Sequence, residues 1–487
     1  MTTAAERAWR IHLALAPDHC DSFRLLGAQE SARGLATAGT THIRRSVVHR
    51  SQYPDSWAEF GAALLHADMA GEAKVALKRG LSLQPTHDRA LYNLGLAEHR
   101  SNSNRRASLL YSRALAIDSR HLDARRNRAA TRRAAGDVEG AIGDYRLLIA
   151  AAPDQTAYCH GLAAALLDGG RLQEAAQLFT ATALRQRRRA AASGPRRISV
   201  AQLRHDAEQL DYLLEQGRIA PALASIRDLY REMLARLPAA TPAMDTVEMP
   251  CPDAAPPDWT LGPDAAPGSP VPPGKTLNPR PDAMDLTNRY RTGKPALAII
   301  DDLLAPDTLR ELRRFCLESR IWRHAHGGGY LGAFMEEGFF CPLLASIADE
   351  LRLALPGIFG MHPLKKVWGF NYDNRLTGIN LHADFAAINV NFWITPDDAN
   401  LDPGSGGLVV WDAPAPLEWG FEDYNQSPER ARAYLEANGA RPMVVPYRAN
   451  RAVVFDSNLF HETDRFLFKP GYENRRINIT LLYGLRS

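Results

Sequence analysis

The sequence predicts a multidomain fold, with an all-α helical solenoid towards the N-terminus, an all-β sandwich or barrel towards the C-terminus, and a proline-rich stretch between them. Three observations carry this reading. Small residues recur at a step of 34 through the first two hundred positions. Twelve prolines fall within residues 241–284. Beyond Tyr290 the chain breaks into short apolar segments separated by turn residues. At 487 residues it also exceeds what one hydrophobic core ordinarily organises.

In the first element Gly27, Gly61, Gly95, Ala129 and Ala163 share one phase. Twelve residues on, Gly39, Ala73, Ala107, Ala141 and Ala175 share a second. In a helix-turn-helix repeat these are crossing positions, where a side chain larger than a methyl would push two backbones apart. Phe23, Trp57 and Leu91 precede the small residue by four positions, and Gly34, Gly136 and Gly170 sit at the inter-helix turn. Pro85 and Pro153 close two units. This pattern, clearest in ALYNLGLAEH and GRLQEAAQLF, resembles the tetratricopeptide repeat over about residues 20–186. The resemblance implies a concave face that holds a peptide or protein, with a purely stabilising or dimerising solenoid as the alternative. One copy departs from the pattern, because Arg125 and Arg128 stand where large apolar residues are usual.

Residues 198–237 show apolar residues at helical spacing around Gly217 and Pro221 and predict one more helix pair, capping the solenoid. The Arg-dense stretch from Arg185 to Arg197 reads as a solvated helix end. The proline-rich interval that follows is poor in β-branched and aromatic residues and cannot bury a core, which makes it a linker or a surface strap. Its neighbours set no charge bias: 58 Lys plus Arg against 55 Asp plus Glu leave +3, which indicates neither a nucleic-acid nor a membrane partner. Five scattered cysteines without a CxxC pair exclude a disulfide framework or zinc site and fit a reducing, cytoplasmic compartment. The first residues lack the unbroken apolar core of a signal peptide, and no apolar run reaches eighteen residues.

The last element opens with ALAIIDDLLAPDTLRELRRFC, a strand, then a turn with Pro306 and Asp307 near a helix start, then an amphipathic helix. KKVWGFNYD, INLHADFAAINVNFWIT, SGGLVVWDA, RPMVVPY, RAVVFDSNLFH and RRINITLLYG follow as strands. His382 and Asp384 stand two apart in one of them, so both side chains leave the same face, about 7 Å apart along the chain. His461 closes another. Two histidines and one carboxylate on a single face suit non-haem Fe(II) and leave the opposite face of the metal open. Those open positions allow a 2-oxo acid to chelate beside dioxygen, and the acid's distal carboxylate then needs an anchor. Arg476, fifteen residues after His461, supplies a rigid fork of donors. Arg475 points to the opposite face of the strand.

This segment resembles the prolyl-hydroxylase branch of the 2-oxoglutarate/Fe(II) oxygenases over about 190 residues, most clearly from Trp368 to Tyr483. The resemblance rests on the HxD pair, the distal histidine, the basic residue on the next strand, Tyr372 ten residues before His382, and the SGG strand from Ser405. It implies a double-stranded β-helix, or jelly-roll, with flanking helices. It also implies His382, Asp384 and His461 as iron ligands and catalytic residues, and Arg476 and Tyr372 as contacts of 2-oxoglutarate. Asn391 is read as a further co-substrate contact. The sequence departs from the branch in the short loop after Asp384 and in the pair Asn389 and Asn391. His324 and His326, in WRHAHGGGY, have no carboxylate or cysteine close by in sequence and read with Gly327–Gly329 as a substrate lid. Trp393 and Trp411 read as core or pocket wall.

The expected organisation is therefore a tetratricopeptide-type solenoid over residues 1–190, capping helices over 191–240, a linker over 241–290 and an oxygenase domain over 291–487. The expected activity is a dioxygenase that uses Fe(II), 2-oxoglutarate and O2, with ascorbate as a further cofactor, to hydroxylate an unactivated C–H bond. Its substrate would be a peptide or protein captured by the repeats. The alternatives are an oxygenase of a small metabolite with a structural solenoid, and a catalytically silent repeat adaptor.

Overall fold

The structure is a computed structural model that describes residues 4–16, 19–49, 51–191, 197–238, 241–249, 271–272, 274–280, 282–327, 330–373 and 381–486. Its contacts divide the chain into two compact units, residues 1–165 and 166–487, so the division falls ahead of position 190.

The first unit is helical. After α1 (Ala4–Leu15), helices of 13 and 14 residues alternate as α2 (Cys20–Ala32), α3 (Ala36–His49), α4 (Pro54–His66), α5 (Ala70–Leu83), α6 (Asp88–Arg100), α7 (Asn104–Ile117), α8 (Leu122–Ala134) and α9 (Val138–Ala151), followed by α10 (Thr156–Asp168). Starts at Cys20, Pro54, Asp88, Leu122 and Thr156 reproduce the 34-residue step. The pairs α2–α3, α4–α5, α6–α7 and α8–α9 pack as hairpins, which makes this region a helical-repeat solenoid of tetratricopeptide type. The small residues lie at the crossings. A methyl at Gly27 would meet the Gly39 carbonyl, one at Gly61 the Leu77 side chain and one at Gly95 the Tyr111 ring.

Two features of this unit were not legible in the periodicity. The ring nitrogens of His19, His87 and His121 accept the backbone N–H three residues ahead, so imidazole caps α2, α6 and α8 where Ser or Asp is usual. The arginines that break the apolar pattern form an ionic cluster on Asp144. Its buried carboxylate receives Nε and Nη2 of Arg128 at 2.9 and 2.5 Å and Nη1 of Arg132 at 2.9 Å, with Arg125 at 3.7 Å. Charge thus replaces apolar contact between α8 and α9.

The second unit begins with α11 (Leu172–Ala191), β1 (Arg197–Ser199), α12 (Val200–Glu215), α13 (Ala224–Arg236), β2 (Thr246–Glu248) and α14 (Ala283–Thr292). Residues 192–196 of the Arg-dense stretch lie outside the described residues. It continues with β3 (Leu297–Ile300), α15 (Pro306–Glu318), β4 (His324–His326), β5 (Tyr330–Phe334), α16 (Pro342–Ala354), β6 (Leu364–Tyr372), β7 (Ile388–Trp393), β8 (Leu408–Pro414), β9 (Pro442–Val445), β10 (Ala452–Asp456), β11 (Leu459–Thr463) and β12 (Arg476–Tyr483). Seven strands form an antiparallel sheet in the order β3-β10-β7-β12-β6-β5-β4, and three form a second in the order β11-β8-β9. Leu297, Trp393, Val453 and Phe455 from the large sheet and Leu408, Val410, Val445 and Leu459 from the small one share a buried cluster, so the sheets face each other. On the outer face of the large sheet the Tyr483 hydroxyl donates to the Ala348 carbonyl of α16, and Gly369 meets the Phe339 ring.

Several expectations change here. The α12–α13 pair, expected to cap the solenoid, is built onto the sheets: Gln209 donates to the Leu317 and Ser319 carbonyls, and Glu208 pairs with Arg475. The expected linker is attached near both its ends. Strand β2 pairs with β1, the Thr276 amide and hydroxyl donate to Glu350 at 2.7 and 2.6 Å, and α14 is helical. Its residues 250–270, 273 and 281 lie outside the described residues. His324 and His326 belong to a β-hairpin, and Gly328 and Gly329 of the expected lid lie outside the described residues. A carboxylate does approach His324: Glu337, thirteen residues on, lies at 2.6 Å. Among the described residues no helix is long and apolar enough to cross a membrane.

The Asp144 cluster predicts that Asp144→Asn destabilises the helical unit by about 3 kcal/mol, because three partly buried guanidiniums lose their shared charge. Thermal denaturation of the full chain, with Arg128→Leu and the double variant completing a cycle, measures it. The double variant is expected to recover part of the loss, since apolar packing then replaces the pair.

Candidate metal centre

His382 and Asp384 do not lie in a continuous strand. His382 makes a single antiparallel bridge with His461, each amide donating to the other's carbonyl at 3.0 and 2.8 Å. The ladder stops there because the Ala383 amide donates to the Tyr424 carbonyl and the Asp384 amide to the Ser457 carbonyl. The backbone turns, yet the side chains converge. The metal-ligating atoms of His382, Asp384 and His461 all lie within 4.8 Å of one another. His382 Nε2 is 3.8 Å from Asp384 Oδ1, and His461 Nε2 is 3.5 Å from Asp384 Oδ2. Among the described residues no other group of three histidine, cysteine or acidic side chains is arranged to hold a metal ion.

The protein fixes the chemistry of each ligand. His461 Nδ1–H donates to the Leu459 carbonyl at 3.0 Å, which sets the tautomer and leaves Nε2 as the lone-pair donor. Burial alone would raise the Asp384 carboxyl; the adjoining His461 and His382 rings and the hydrogen bond from the Asn389 amide outweigh it and hold the group below the usual carboxylate range.

Asp384 also starts a directed chain of amides. Asn389 Nδ2 donates to Asp384 Oδ2 at 2.7 Å, Asn391 Nδ2 donates to Asn389 Oδ1 at 2.7 Å, and Asn478 Nδ2 donates to Asn391 Oδ1 at 2.7 Å. The Thr480 hydroxyl donates to the same Asn391 oxygen at 3.1 Å. Because the carboxylate only accepts, each amide must turn its NH2 toward it, and the whole chain has one orientation. Asn391, expected to contact a co-substrate, thus has its oxygen and one N–H committed to this chain while lining the cavity.

Arg476 lies on the same face of β12 as Asn478 and Thr480 and lines the same interior cavity as the His/Asp/His group. Although 1% exposed, its guanidinium is held by backbone carbonyls, with Nε donating to Gly406 at 2.7 Å and Nη2 to Gly407 at 3.1 Å. It stands 4.9 Å from the Tyr372 ring centroid and 5.6 Å from those of Trp393 and Phe466. Burial pushes its pKa down, opposed by Tyr372 and Tyr447. Nη1 is buried and has no hydrogen-bond partner among the described residues. The SGG segment explains itself here: any Cβ at Gly407 would collide with the Val445 carbonyl, and Gly406 has φ +83°, so only glycine delivers these two carbonyls to the arginine. The Tyr372 hydroxyl lies 3.4 Å from Thr463 Oγ1, and burial raises its pKa.

Sequence reasoning passed over Asn478, Thr480, Thr463, Trp368 and Phe370, which line the cavity, and read Asn389 only as a departure from the oxygenase branch. One signal was available: polar Arg476, Asn478 and Thr480 alternate within an otherwise apolar strand, RINIT, and therefore share one face.

No family model matches the chain, and no curated protein matches it. Solved structures do. The crystal structure of MamA is 18% identical and covers 36% of this chain and 96% of its own, with a TM-score of 0.34. MamA from Desulfovibrio magneticus RS-1 is 18% identical and covers 34% of this chain and 93% of its own, with a TM-score of 0.32. YrrB, described as a TPR protein with an unusual peptide-binding site, is 12% identical and covers 36% of this chain and 90% of its own, with a TM-score of 0.32.

Asn389 is the link between Asp384 and the rest of the amide chain, so Asn389→Leu should weaken divalent-metal binding about tenfold, as losses of a ligand's own hydrogen-bond partner do. Titration of the metal-stripped chain with Fe(II) or Co(II) under argon reads this directly.

Proposed function

We propose that the second unit is an Fe(II)- and 2-oxoglutarate-dependent dioxygenase, and that its two facing sheets are a double-stranded β-helix. One observation carries the reading: a His/Asp/His group with converging ligand atoms shares a cavity with a buried arginine, one of whose nitrogens has no partner among the described residues. A buried guanidinium with an unmatched N–H is costly unless something accepts from it. The distal carboxylate of a 2-oxo diacid is an acceptor of the right charge.

The residues present fit the metal. Neutral imidazole nitrogens and one ionised carboxylate are the donor set non-haem Fe(II) takes, with coordination positions left for other ligands. His382, Asp384 and His461 would hold the iron, which when bound would supply the dioxygen chemistry that couples decarboxylation of 2-oxoglutarate to succinate with insertion of one oxygen atom into a substrate C–H bond. The chain's own residues do the rest. Asn389 donates to Asp384 Oδ2 and so orients the carboxylate; the Leu459 carbonyl holds the His461 tautomer. Arg476 binds and orients the diacid's distal end, with Tyr372 and Thr463 beside it.

We further propose that the helical repeats capture a peptide or protein substrate, since stacked hairpins offer an extended binding surface. A small-metabolite substrate with a structural solenoid is the competing reading.

Two measurements test this. Each of His382→Ala, Asp384→Ala and His461→Ala should abolish iron-dependent succinate formation, whereas Arg476→Ala should raise the 2-oxoglutarate half-saturation concentration about tenfold or more with Fe(II) still bound. Full turnover in any ligand variant would overturn the assignment. For capture, residues 166–487 should keep slow 2-oxoglutarate decarboxylation but lose most hydroxylation of a peptide target relative to the full chain; equal hydroxylation by both would favour the small metabolite.

A further inference from the structure

The start of β12, where Arg476 stands, is held from both sides. On one side the buried Thr395 hydroxyl donates to the Arg475 carbonyl at 2.8 Å and accepts the Ile477 amide at 3.0 Å, which clamps the backbone around residue 476. On the other, the Arg475 side chain, 6% exposed, donates Nη2 and Nε to Glu208 Oε2 of α12 at 2.8 and 3.1 Å. The turn just before it is gripped by the same helix: the Tyr472 ring packs against His205 at 5.4 Å and Tyr212 at 5.5 Å, and its hydroxyl donates to the Leu317 carbonyl, which also accepts from Gln209.

We propose that Glu208 is a positioning residue for the co-substrate arginine, and that α12 is a working part of the oxygenase rather than a cap on the repeats; this rests on the dioxygenase reading above. The argument is geometric. Arg475 and Arg476 leave opposite faces of one strand, so tension on the first sets the twist and height of the second. Arg476 has two carbonyl partners and an Nη1 without a partner among the described residues, and the direction in which Nη1 points depends on where the Cα of residue 476 is held. The Arg475–Glu208 pair is charge-assisted and largely withdrawn from water on the arginine side, so it resists displacement more than a surface pair would. Glu208 is itself neither one of the His/Asp/His residues nor a lining residue of the cavity, and its ion pair with Arg475 links it to the strand that carries Arg476.

The test uses the full chain with Glu208→Gln, which is isosteric and sits at a position where the side chain is one-third exposed. Glu208→Ala is the second variant and thermal denaturation the check on folding. The 2-oxoglutarate half-saturation concentration is expected to rise about tenfold, as for other losses of an outer partner, with Fe(II) affinity unchanged. A 2-oxo acid lacking the distal carboxylate, measured by competition, should bind wild type and variant equally, because it makes no use of Arg476. A purely structural role would lower the melting temperature and the active fraction but leave the half-saturation concentration where it was. An unchanged value in Glu208→Gln, in a preparation whose wild type consumes 2-oxoglutarate, overturns the proposal. A wild type that consumes none overturns the dioxygenase reading instead.

Discussion

The buried charge of Asp384 is the constraint from which the interior of the second unit follows. A carboxylate at 3% exposure cannot remain ionised in an apolar sandwich without donors. The chain provides them as a polar file across two neighbouring strands, Asn389 and Asn391 on β7 and Asn478 and Thr480 on β12. That file exists only in one register, with Asn391 opposite Thr480 and Asn389 opposite Leu482. A slip of one residue in either strand would turn that strand's two polar groups into the outer, helix-covered face of the sheet. The site's electrostatics and the pairing of the two central strands therefore specify each other.

Arg476 adds a second buried charge of opposite sign to the same cavity, and the solution differs. Aromatic rings and two glycine carbonyls surround the guanidinium, rather than a carboxylate that would neutralise it. A direct salt bridge would satisfy the arginine but leave it nothing to offer a ligand. Carbonyls and ring faces solvate it partially and keep a donor in reserve. The neighbouring Arg475, one position away, is instead fully engaged by Glu208. Two adjacent arginines on opposite faces of a strand thus have opposite relations to charge, one neutralised and one held ready.

Much of this was legible in the sequence, for reasons that can be stated residue by residue. The repeat was readable because helix crossings tolerate only small side chains, which leaves a mark at Gly27, Gly61 and Gly95 whatever else the repeat contains. The His/Asp/His set was readable because ligand chemistry restricts residue type. What escaped was relational. Arg125 and Arg128 looked like faults in the repeat because Asp144, the group that makes them favourable, lies on the next helix. Asn389 and Asn391 looked like departures from the oxygenase pattern because their partners, Asp384 on one side and Asn478 on the other, are joined to them only by the sheet. His382 and Asp384 were placed in a strand because alternation is the usual way to put two side chains on one face; here a single bridge followed by a turn achieves it, and local periodicity cannot distinguish the two.

The proline-rich interval shows the limit of composition as a guide to boundaries. Its prolines establish that the segment cannot build a core, and that inference says nothing about whether its ends are attached. Thr246–Glu248 pairs with β1, Thr276 and Asn278 hydrogen-bond to Glu350, Asp302 and Leu304, and Ala283–Thr292 forms a helix. Each attachment also buries an apolar side chain, Val247 on β2, Leu277 beside Leu304 and Leu286 on α14, but these are single residues scattered among prolines and set up no periodic signature. A cut placed by composition at residue 285 would therefore remove α12 and, with it, Glu208, the outer partner of Arg475. The second unit's contacts instead reach across the interval, with 208 hydrogen-bonded to 475 more than two hundred positions away and upstream of every proline in it.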